Sequence, residues 1–173
     1  NIPDNKYMTN IEFTNTLKLK PVEDLAMDVI RFVLSNRYQD IIREDEGGAY
    51  GVNVAASYTA YPKHTQAIAI NFQSNTEQGD RMRAIIHEQI DKLVAEGVSE
   101  EDVEDMVLMM KKGRVGVLEN RGNAHWQDAL RLYAETGKNI DSPELFENPI
   151  KKLNAKIVQE VAKKFFATAE CID

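Results

Sequence analysis

Tyr50-Gly51-Val52-Asn53-Val54-Ala55-Ala56 and Ala67-Ile68-Ala69-Ile70-Asn71-Phe72 are the stretches that decide the fold. In the first, Tyr50, Val52, Val54 and Ala56 alternate with Gly51, Asn53 and Ala55. A period of two sends successive side chains to opposite faces, the mark of a strand with one buried side. The second is a short run of aliphatic residues ending in an aromatic, again strand-like in length and composition. Residues 58–64, Tyr-Thr-Ala-Tyr-Pro-Lys-His, read as a turn around Pro62. Together these segments predict a long β-hairpin over roughly residues 48–73.

Upstream, Gly47-Gly48 interrupts whatever precedes the hairpin. Leu25, Val29, Phe32 and Val33 fall at helical spacing, and Pro21 stands where a first helical turn tolerates it. The spacing predicts a helix over 21–41. Before it, Ile11, Phe13, Leu17 and Leu19 alternate loosely and predict a strand over 11–19. Downstream the chain turns helical. Met82, Ile86, Ile90 and Leu93 form one apolar stripe that Gly97 ends. Ser99 and Asp102 have capping-box spacing for a helix reaching about residue 119. A further helix is expected over 122–136, closed by Gly137. Ser142-Pro143 reads as the opening of a short helix, and Asn154 as the cap of a last one bearing Ile157, Val158, Val161 and Phe165. Ala169–Asp173 reads as the start of a strand, with Cys171 expected to be buried in it.

Strands and helices are segregated along the chain. The fold class this predicts is α+β, a mostly antiparallel sheet with several helices packed on one face. No linker divides residues 1–173, so they form a single domain. The ends suggest a piece of a longer polypeptide whose remaining strands would complete the sheet.

Composition narrows the functions. The 173 residues carry a formal charge of −7, with 43% hydrophobic and 28% charged residues. That is an ordinary globular balance, not a disordered one. An acidic chain is a poor match for nucleic acid or an anionic membrane. No apolar run is long enough for a membrane span. The single cysteine excludes an internal disulfide and a cysteine-based zinc site, and fits reducing and oxidising compartments equally.

The three histidines, His64, His87 and His125, lack the i, i+4 spacing that would put two metal ligands on one helical face. His87-Glu88 has no second histidine to complete a zinc motif. Ser57 and Ser74 lack the glycines of a nucleophile elbow. Glu100-Glu101-Asp102 is a helix start, where negative charge meets the macrodipole favourably. Gly47-Gly48-Ala49-Tyr50-Gly51 leads into a strand after three acids, the reverse of a phosphate loop.

What remains is Arg43-Glu44-Asp45-Glu46-Gly47-Gly48-Ala49-Tyr50. An arginine near a helix end precedes, by seven residues, a tyrosine entering a strand. The intervening glycines permit a tight reversal and close backbone approach. Arginine is a permanent cation with several donors, and tyrosine a neutral hydroxyl. On one wall of a groove they would suit a peptide carbonyl, or the oxyanion formed from it. The structural alternative is that Arg43 pairs with neighbouring acids while Tyr50 packs in the sheet.

The stretch Arg43–Val52 resembles the signature in the C-terminal half of the pitrilysin/insulinase family of zinc metallopeptidases: Arg-Glu and further acid, then Gly, then Tyr seven residues after the Arg. The hairpin with its Tyr-Pro turn, Asn120 or Asn123 leading to Trp126 in a helix, and the last helix followed by a strand start are also similar. The first twenty residues match only loosely. The resemblance implies the metal-free C-terminal domain of a zinc endopeptidase, facing a homologous zinc-binding domain on the same chain or a partner subunit, with a peptide substrate between. It implies that Arg43 holds a substrate carbonyl, that Tyr50 stabilises the oxyanion, and that Gly48 lines the substrate. Zinc would be the cofactor of the whole protein, held by the other domain. The chain alone is then expected neither to hydrolyse peptides nor to bind stoichiometric zinc. The alternative within the family is a pseudo-peptidase used in assembly or peptide binding.

Overall fold

Ile68, Ile70 and Phe72, at 0–1% exposure, occupy one face of a strand bonded on both sides, and the other elements are arranged around them. The computed structural model describes residues 7–44, 51–60 and 62–172. In chain order the elements are β1 (Tyr7–Thr16), α1 (Pro21–Glu44), β2 (Val52–Thr59), β3 (Thr65–Ser74), α2 (Thr76–Glu96), α3 (Glu100–Glu119), α4 (Asn123–Thr136), α5 (Glu147–Ile150), α6 (Ala155–Phe166) and β4 (Glu170–Ile172). The sheet order is β2-β3-β1-β4, and every neighbouring pair is antiparallel.

The register explains the burial. Ile70 lies between Ile11 of β1 and Val54 of β2, Ile68 between Phe13 and Ala56, and Phe72 between Thr9 and Val52. These side chains share the face on which the helices pack. Directly opposed apolar pairs contribute about 0.2–1 kcal/mol each beyond alanine. α1 buries Ala26, Val29, Ile30, Val33, Leu34 and Tyr38 against this layer, and α6 buries Val158, Val161, Ala162 and Phe165. Tyr38 is fully buried, and its hydroxyl donates to the Ile86 carbonyl at 3.2 Å. Phe13 meets His87 and Phe166 edge-on, with centroids 5.7 and 5.5 Å apart.

The helix starts follow local chemistry. Asn75 accepts from Gln78 N at 2.9 Å, and Asn154 from Ile157 N at 3.0 Å. Ser99 and Asp102 form a reciprocal capping box. Each satisfies amides that a helix cannot pair internally. The α+β class and the one-faced antiparallel sheet are those expected from the sequence.

Several boundaries differ. β1 spans Tyr7–Thr16 rather than 11–19, because pairing with β3 runs from Tyr7↔Ser74 to Thr16↔Thr65. Tyr58 and Thr59 belong to β2, not to the turn. α1 continues to Glu44, which puts Arg43 in its last turn. Ser142-Pro143 does not open a helix. Leu145 N donates to Ser142 O and Asn148 N to Pro143 O, which makes a series of turns, and α5 begins only at Glu147. Cys171 is exposed rather than buried, because β4 is a three-residue strand at the sheet edge.

The inner face is not wholly apolar. Gln66 is 2% exposed, and its amide donates to Asp24 Oδ1 at 3.1 Å. Burial pushes the Asp24 carboxyl up to about 6, against the opposing pull of the Gln66 hydrogen bond, with Glu23 and Asp28 adding to the rise. A carboxyl raised above its unfolded value of 3.8 binds more protons folded than unfolded between those values. Its contribution to stability therefore grows as pH falls from about 6 toward 4, and is lost as pH rises through 6. Thermal unfolding at pH 7.5, 6 and 5 should give a smaller gain toward low pH in Asp24→Asn than in the native chain. Identical pH profiles would remove Asp24 from that linkage.

Candidate functional site

α1 begins beside the place where β2 ends. Asp24 accepts from Gln66, and the register partner of Gln66 on β2 is Tyr58. From there Arg43 lies about 28 Å along α1 at 1.5 Å per residue. Val52 lies about 20 Å back along β2 at 3.3 Å per residue. The connection between Glu44 and Val52 reaches at most about 28 Å when fully extended. α1 must therefore run back alongside β2. The backbone of Arg43 and the start of β2 sit at one end of the sheet.

Other groups share that end. β3 finishes there at Ser74, 5% exposed, and Asn75 immediately caps α2. β1 starts there, with Tyr7 opposite Ser74 and Met8 opposite Gln73, both side chains exposed. Sequence periodicity did not single out Tyr7 or Met8. The signal that finds them is the antiparallel register, which depends on a strand more than fifty residues away.

Of the residues assigned from sequence, Arg43 lies in the final turn of α1. Gly48 and Tyr50 lie outside the described residues. The chain becomes described again at Gly51, whose φ is +134°. That backbone is one L side chains rarely adopt, although a Cβ there would meet nothing within 4 Å. The glycine is needed for its conformation, not for space. It sets the direction in which the chain enters β2.

The histidines are dispersed. The Tyr58 hydroxyl and His64 Nδ1 share a hydrogen bond of 2.6 Å at the hairpin end of the sheet, with the rings stacked. Burial, then Asp24 and Glu135, push the Tyr58 phenol up. His87 is exposed beside Phe13. His125 is buried against Trp126, and its Nε2 has no partner. Among the described residues no three of His, Cys, Asp or Glu converge on a point that would hold a metal ion. The donor set of these residues does not fit zinc. Among them, no helix is long and apolar enough to cross a membrane.

With that geometry in hand, the comparisons are specific. The profile of the peptidase M16 inactive domain matches residues 7–110, well over half of the chain. The chain belongs to this M16 family. No curated protein matches it. Among solved structures, the periplasmic protease PqqL from Escherichia coli superposes with a TM-score of 0.74 at 16% identity, over 95% of this chain and 19% of that one. An M16 inactive domain from Pseudomonas fluorescens gives 0.66 at 16% identity, over 91% of this chain and 38% of that one. An inactive peptidase domain from Bordetella parapertussis gives 0.71 at 12% identity, over 94% and 88%. The chain thus spans about a fifth of PqqL and less than half of the Pseudomonas chain. At such identities the likeness is one of fold.

Gly51→Ala tests the entry into β2. Strain of this kind costs about 1–3 kcal/mol, so urea unfolding should show a loss of that order. A variant as stable as the native chain would mean that the backbone there relaxes freely.

Proposed function

We propose that this chain is the metal-free C-terminal domain of a longer zinc endopeptidase, and that it presents Arg43 and Tyr50 to a peptide held against a zinc site on another domain. The observation that carries this reading is the shared end of the sheet: the last turn of α1 and the entry to β2, seven residues apart in sequence, with membership of the M16 inactive-domain family behind it. The zinc, held elsewhere, would supply the Lewis acid. This domain would supply positioning and electrostatics.

Arginine suits a carbonyl because its guanidinium remains charged at any working pH and donates in a fixed fork. Tyrosine suits an oxyanion because its hydroxyl stays protonated near neutrality and can donate a hydrogen bond. A donor that strengthens its bond as negative charge develops lowers the barrier rather than merely tightening binding. β2 supports the same reading, since it is an edge strand of the four and such an edge can pair with an extended peptide. Gly48 would let the peptide backbone approach closely.

In the intact protein, Tyr50→Phe should lower kcat by roughly 10²-fold with an unchanged melting temperature, the size expected for one lost oxyanion donor. Arg43→Lys should raise KM, because the point charge survives and the fork does not. An unchanged kcat in Tyr50→Phe would take that residue out of the mechanism. A parent protein without peptidase activity, whose assembly survives both substitutions, would make this a pseudo-peptidase domain instead.

A further inference from the structure

The hairpin end of the sheet gathers titratable groups that the peptide-binding reading leaves unused. Tyr58 and Gln66 are register partners, so their side chains stand on the same face, the one the helices cover. His64, two residues before Gln66, reaches that face too. Its Nδ1 lies 2.6 Å from the Tyr58 hydroxyl, and its ring stacks on the phenol. Asp24, at the start of α1, accepts from the Gln66 amide at 3.1 Å. Asp24 and His64 are both half-buried.

The charges around this cluster are mostly negative. Glu23 and Asp28 of α1 flank Asp24, and Glu135 of α4 acts with Asp24 on the Tyr58 phenol. The cations that engage these carboxyls do so at Glu23 and Asp28: Lys164 of α6 lies 3.5 Å from Glu23, and Arg31 of α1 pulls on Asp28. Asp24 has a neutral partner, the Gln66 amide, and burial pushes its carboxyl up to about 6.

The bond between Tyr58 and His64 is itself sensitive to protons. In a neutral imidazole the basic nitrogen is the better acceptor and the phenol the better donor. Tyr58 then donates to Nδ1, and the ring proton sits on Nε2. An imidazolium has two N–H donors and no acceptor. Its Nδ1 donates to the phenol oxygen, which frees the phenol proton for the carboxyl groups of Asp24 and Glu135. The bond survives with its direction reversed, and a cation replaces a neutral ring beside an acidic group.

We propose that Asp24, Tyr58 and His64 form a proton-operated clasp at the closed end of the β2–β3 hairpin, held more tightly after proton uptake in mildly acid solution. The gain has two sources. An imidazolium attracts the carboxylates around the phenol, and a neutral Asp24 no longer repels Glu23 and Asp28. Because β2 is the sheet edge, the clasp sets how firmly that edge strand is held to β3. It requires no role for Arg43, Tyr50 or zinc.

Hydrogen exchange of the intact protein at pH 7.5 and 5, corrected for the intrinsic pH dependence of exchange, tests it. Protection over residues 57–67, taken relative to α6, should rise about tenfold toward pH 5, the factor that one unit of pKa difference supplies. His64→Asn keeps an acceptor oxygen near the place of Nδ1, and Asp24→Asn keeps the shape of the carboxyl and its acceptor for Gln66. Neither variant can take up the proton, so in each the rise should shrink to about threefold or less. A native protein without the rise overturns the proposal, and so does a rise of full size in either variant. Tyr58→Phe removes the hydroxyl that joins the two strands. It should lower protection of the same residues about fivefold at pH 7.5, the size of one hydrogen bond. Unchanged protection in Tyr58→Phe also overturns the clasp.

Discussion

The inner face of β3 carries Gln66, Ile68, Ile70, Phe72 and Ser74, all at most 5% exposed, and it accepts one register only. A slip by one residue against β1 or β2 would turn all five toward the outer face and bring Ala67, Ala69 and Asn71 inward. The remaining strands are tied to that choice. β2 must place Val52 and Val54 inward, and β1 must place Ile11 and Phe13 inward. Once these are set, α1 has one apolar layer to cover, and it starts where Asp24 can reach Gln66.

That arrangement makes the two ends of the sheet chemically different. The hairpin end is closed by polar contacts: Tyr58 with His64, and Gln66 with Asp24, whose carboxyl sits where water solvates it poorly. The opposite end is where α1 finishes and α2 starts, so a negative helix pole and a positive one meet at the same edge. Arg43 lies in the last turn of α1, where a cation is favoured by that pole.

Much of this was legible in the residues. The alternation from Val52 to Ala56, the caps at Asn75, Ser99 and Asn154, and the helix stops at Gly97 and Gly137 are local signals, and each lies where the structure has it. Arg43 could be singled out because so few other residues offered chemistry. The misreadings share a cause. β1 runs four residues earlier than its own pattern indicates because Tyr7–Asn10 pairs with β3, a gain that hydropathy does not record. Ser142-Pro143 has the look of a helix start, yet the turn bonds to Leu145 and Asn148 compete with it. Cys171 follows an apolar pattern, but a three-residue edge strand buries little.

By itself, then, the sequence determined what depends on neighbours along the chain: the element types, their caps and the antiparallel α+β class. The tertiary structure decided what depends on distant partners: the order β2-β3-β1-β4, the approach of the α1 end to the start of β2, and the outward face of Trp126, Leu130 and Tyr133. The reason is physical. Capping and periodicity are satisfied within a few residues, whereas register and exposure are set by side chains that meet only after the chain has closed on itself.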